Sequence, residues 1–247
     1  MEQVSKITGI SRNMFSVLAT AYGLDRIACF EKEEKVIPIE RQKREYFNTL
    51  FKMCQENMIA IKENHLEPIG EIRDCFEIMK ESRKIVTIQG RNSAGTNLCL
   101  YIEKNGNIVI LRAGNRKNEF LKFEKQGKTE LWQLLSDSGH LPESLLKEMQ
   151  EEERENETQD MYSFSFLHQL QVKDSNEWFN IPQIESVIAV YDVKTDREEG
   201  ILGIIYESLR DKLILKNSGK ITITDYSPNE VMRSIENLLE EGKDDIS

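Results

Sequence analysis

A single offset relates two distant stretches of this chain, and it limits the fold more than any other feature. Moved by 104 residues, Leu98 falls on Leu202, Leu100 on Ile204, Ile102 on Tyr206 and Glu103 on Glu207. The same shift lays Val109, Ile110 and Leu111 on Leu213, Ile214 and Leu215. It also lays Leu131, Leu134 and Leu135 on Ile235, Leu238 and Leu239. Any two amphipathic meanders match at some offset, but one offset that aligns strands and helix together points to an internal duplication. Each copy reads strand, polar gap, strand, tight turn, strand, strand, helix. The expected fold class is α+β, with two quasi-symmetric halves, each an antiparallel β-meander plus helices, sharing a central sheet.

The halves are expected at residues 1–142 and 161–247. The connection, residues 143–160, carries eight acids (Glu143, Glu148, Glu151, Glu152, Glu153, Glu155, Glu157 and Asp160) against Lys147 and Arg154. Such a run repels itself and stays solvated. In the first half, Met14, Val17, Leu18 and Ala21 mark one face of a helix over 13–22 that stops at Gly23. Tyr46, Phe47, Leu50, Phe51, Cys54, Met58 and Ile59 recur at helical spacing, which predicts a helix from Ile39 to Asn64. Ile72, Cys75, Phe76 and Met79 predict another over 69–80. The period then shortens. Strands are expected at 85–88, 98–103, 107–111 and 119–123, the middle pair joined by a hairpin at Lys104-Asn105-Gly106, with a helix over 130–135. In the second half, strands are expected at 186–192, 201–207, 212–215 and 220–224, with a charged turn over 195–200. Ser227-Pro228-Asn229-Glu230 is a helix start, with Ser as N-cap, Pro in the first turn and Glu at the third position.

In Ile108–Leu111 and Leu202–Tyr206 both alternating sets of side chains are apolar. A sheet with one face in water shows a polar residue at every second position. Both faces must therefore be covered, by the chain's own helices or by a partner.

Chemistry is harder to find. The three histidines, His65, His140 and His168, have no ligand or base at helical spacing, so no metal site is expected. The four cysteines, Cys29, Cys54, Cys75 and Cys99, form no C-x-x-C pair and read as reduced, buried thiols. Gly90-Arg91-Asn92-Ser93-Ala94-Gly95 resembles a phosphate loop only faintly, because it leads into a strand and not a helix N-terminus. No nucleophile elbow and no Walker loop is present. The expectation is a non-enzyme without cofactor. A net charge of −10 argues against nucleic acid as partner. The absence of an apolar run of about 18–20 residues argues against membrane insertion. With no signal peptide read at the N-terminus, a cytoplasmic location is expected.

The order of elements resembles the EspG-like chaperones of type VII (ESX-type) secretion systems. The resemblance is carried by Phe15-Ser16-Val17-Leu18-Ala19 with Tyr22-Gly23-Leu24, which looks like that family's opening helix and turn. It continues in Asn107–Leu111 followed by Leu131-Trp132-Gln133-Leu134-Leu135 and Leu141-Pro142. It closes in Lys212–Leu215, Ile221–Thr224 and the helix from Ser227 to Leu239, so it spans nearly the whole chain. The resemblance implies a bacterial, cytosolic, non-enzymatic chaperone or adaptor that binds helical secreted proteins or heterodimers. The high Lys and Glu content departs from actinobacterial members, whose clients are of the PE–PPE type, and points to WXG- or LXG-type clients instead. The doubly apolar sheet would supply the surface, framed by the 90–97 loop and the C-terminal helix. By position, the partner-binding residues are expected to be Arg91, Asn92, Ser93, Tyr191, Ile204 and Tyr206. The alternative is an immunity or inhibitor protein whose negative surface caps a basic toxin.

Overall fold

Helices and antiparallel strands are interspersed along the chain, giving the expected α+β class. The structure, a computed structural model, describes residues 6–24, 38–63, 65–90, 97–103, 107–113, 121–126, 164–195, 197–205 and 211–240. The elements of the first part are β1 (Lys6–Ile10), α1 (Arg12–Tyr22), α2 (Ile39–Gln55), β2 (Ile59–Lys62), β3 (His65–Pro68), α3 (Glu71–Glu81), β4 (Lys84–Gly90), β5 (Asn97–Ile102), β6 (Ile108–Ala113) and β7 (Leu121–Gln126). Then come α4 (Phe164–Val172), α5 (Ser175–Trp178), β8 (Ile184–Asp192), β9 (Arg197–Ile205), β10 (Lys212–Asn217), β11 (Lys220–Asp225) and α6 (Pro228–Glu240). The expected helix over 130–135 and the acidic connection 143–160 lie outside the described residues.

The chain gathers into two compact units, Met1–Arg83 with Asn97–Lys128, and Lys84–Thr96 with Thr129–Ser247. This division departs from the expected halves at β4. Lys84–Gly90 was expected in the N-terminal half, but it pairs antiparallel with β8 from Lys84↔Asp192 to Gly90↔Ser186 and so belongs to the C-terminal unit.

In the N-terminal unit β1, β7, β6 and β5 lie side by side, all antiparallel. Helix α1 begins at Ser11, whose hydroxyl accepts the Met14 N–H at 3.3 Å and so satisfies one free donor of the first turn. Its buried residues are Met14, Phe15, Leu18 and Ala19. The stripe is therefore rotated from the expected one, and Ala21 is exposed. Rotation brings Phe15 onto Phe76 of α3, with ring centroids 5.6 Å apart. Helix α3 buries Ile72, Cys75, Phe76, Ile78 and Met79 and packs on β5 and β6.

The expected helix from Ile39 to Asn64 is cut short. Helix α2 ends at Gln55, and Ile59–Lys62 pairs antiparallel with His65–Pro68 as the hairpin β2–β3. The cause is local: Asn57 and Glu63 take positive φ, 54° and 47°, which a helix does not accommodate. Met58 and Ile59 fit the helical spacing, yet they lie beyond this break.

In the C-terminal unit the strand order is β4-β8-β9-β10-β11, again antiparallel throughout. One face carries Val187, Ile201, Ile205 and Ile214, packed with Phe166 and Leu170 of α4, Trp178 of α5, and Ile181. The Trp178 ring lies over Gly203, where an added Cβ would come within 3.1 Å of it, so glycine lets the ring sit closer to the strand than a larger residue would without a small shift. Its indole N–H donates to the Leu170 carbonyl at 3.0 Å. On the opposite face α6 lays Leu238 against Gly200, and a Cβ there would come within 2.5 Å of the Leu238 side chain. Helix α6 starts as expected: the Glu230 N–H donates to the Ser227 hydroxyl at 3.1 Å. In this unit, then, the chain's own helices cover both faces of the doubly apolar strands.

The 104-residue offset is visible in the elements. Strand β6, moved by 104, coincides with β10, and β5 moved the same way overlaps β9. Hairpin register differs by one residue: Leu100 faces Ile110, whereas Ile204 faces Leu213. The connection between the paired ends spans residues 103–107 in the first hairpin and 206–211 in the second, one residue more, and this sets the slip.

Candidate functional site

Of the six residues expected to bind a partner, Arg91, Asn92, Ser93 and Tyr206 lie outside the described residues. Ile204, in the middle of β9, is only 1% exposed and cannot meet a partner without unpacking the sheet. Its expectation is corrected for a physical reason: the second apolar set of β9 is covered by α6, not left open. Tyr191 is half-buried in β8 and turned into the unit. Its hydroxyl shares a hydrogen bond with the Ser175 hydroxyl and donates to Glu198 Oε2 at 3.4 Å. The same carboxylate oxygen accepts the Ser175 N–H at 3.1 Å. Burial, with the nearby Glu198 charge adding to it, pushes the Tyr191 phenol up to about 12. The three groups fasten the start of α5 to β8 and β9. They do not form a nucleophile with a base, since the tyrosine is held neutral and its partner serine is buried.

Beside them, at the β8–β9 and β10–β11 turns, lies a cleft of about 390 Å³ lined by Arg197, Glu198, Glu199 and Lys216 among others. Glu198, Glu199 and Lys216 are engaged inside the unit. Glu199 pairs with Lys84, a buried lysine that also donates to the Leu238 carbonyl at 3.5 Å. The Lys216 ammonium donates to the Lys173 carbonyl at 2.7 Å. Among the described residues no group of three or more His, Cys, Asp and Glu side chains could hold a metal ion. Cys54, Cys75 and Cys99 form no disulfide, the last two being buried and Cys54 only partly so. No helix among the described residues is long and apolar enough to cross a membrane.

The feature that departs from an ordinary protein surface is in the N-terminal unit, on α2. At about 100° per residue, the side chains Met53, Tyr46, Ile39, Leu50, Cys54, Phe47 and Phe51 cover an arc of roughly 160°. Met53, at one edge of the arc, is the only fully buried residue of the helix. The rest of the arc turns outward: Ile39 is 67% exposed, Phe47 65% and Phe51 66%, with Tyr46 exposed and Leu50 and Cys54 half-buried. The hairpin β2–β3 continues directly from this helix. The Met58 N–H donates to the Met53 carbonyl at 2.9 Å, and the Ile69 N–H to the Met58 carbonyl at 3.0 Å. Ile61 of the hairpin and Ile69 just after it are exposed as well. Scattered exposed apolar residues are normal, whereas an aromatic ridge along one helix is the feature that sets this surface apart.

The apolar spacing of α2 is visible in the sequence, but its exposure is not read from the spacing alone. The signal available was charge: Lys43 falls inside the apolar arc and Arg44 on its border, where a core-facing stripe tolerates neither. No protein-family model matches the chain, and no curated protein matches it.

Proposed function

We propose that this chain is a cytoplasmic, non-enzymatic adaptor or chaperone that holds helical substrates of a type VII-like secretion system, of the WXG or LXG type. The observation that carries the reading is the exposed aromatic ridge of α2, with Phe47 and Phe51 presented on an otherwise well-packed unit. A helical client awaiting export has an apolar face of its own that must be kept from aggregating. A fixed helix with an open apolar arc covers such a face by helix-to-helix packing. The sheet does not serve as the surface in this reading, because Ile204 and its neighbours are already buried.

The test is affinity purification of the full chain from its native cells, beside the doubly substituted Phe47→Ser/Phe51→Ser protein. A small helical secreted protein should co-purify with the wild type and be lost with the variant. Recovery of a basic toxin in its place, released steeply by salt, would overturn the proposal in favour of an immunity protein.

A further inference from the structure

We draw no further inference here: the strongest candidate, the exposed apolar arc of α2 around Phe47 and Phe51, carries nothing further because Glu40 and Lys43 both fall within the arc and nothing in the structure shows what covers it.

Discussion

In the C-terminal unit, Ile201, Leu202, Ile204 and Ile205 of β9 are all buried, with α4 and α5 on one face of the strands and α6 on the other. In the N-terminal unit, α2 carries seven apolar side chains along one arc and fully buries Met53 alone. Fully burying one phenylalanine side chain contributes about 1.5–3 kcal/mol, so Phe47 and Phe51, 65% and 66% exposed, together leave roughly 2–4 kcal/mol unrealised. The same residue types thus do two jobs. Where strands are apolar on both sides, the chain supplies both covers; along α2 most of the apolar arc stays open.

The contrast can be broken at its buried end first. Trp178→Ala empties the space between α4, α5 and Gly203, and is expected to cost about 3–5 kcal/mol in urea unfolding. A loss below about 1 kcal/mol would mean that α5 does not cover this face as described. The next effect is on pH. Tyr191 keeps its proton in the folded unit up to about 12, against an ordinary value of 10.0. Above pH 10 the unfolded chain has released that proton and the folded one has not, so stability falls as pH rises between these two values. Tyr191→Phe should flatten that decline, measured by chemical unfolding at a series of pH values, and an unchanged slope would remove the buried phenol as its cause. The smallest effect belongs to the open ridge: Phe47→Ser/Phe51→Ser should leave stability within about 0.5 kcal/mol of wild type. A large loss would show the ridge to be core.

Much of the architecture was legible because its signals are local. Ser227, Pro228 and Glu230 announce α6, and the apolar periodicity of 71–81 announces α3 with four of its five buried residues. The 104-residue offset anticipated that β10 repeats β6. The hairpin β2–β3 was not legible, because Met58 and Ile59 continue the helical period and nothing in Asn57 or Glu63 demands positive φ. The pairing of β4 with β8 was hidden for another reason: it joins residues about a hundred positions apart, and no local pattern encodes a long-range partner. The burial of Ile204 was hidden by the same logic. Periodicity says that Phe47 and Ile204 are both apolar positions on regular elements, but only the packed chain decides which one receives a cover.

The buried Lys84 ammonium sits between Glu199 and the Leu238 carbonyl, so one contact joins the first strand of the C-terminal unit to its middle and to its last helix. This sets a timetable for synthesis. When β4 leaves the ribosome its partner β8 is 94 residues away, from Gly90 to Ile184, and at about 5–20 residues per second this is a wait of roughly 5–20 s. The covering helix α6 is made later still. Until then a strand of Ile85, Val86 and Ile88 and a charge destined for the interior stand open together, so the chain is most exposed to aggregation in that interval.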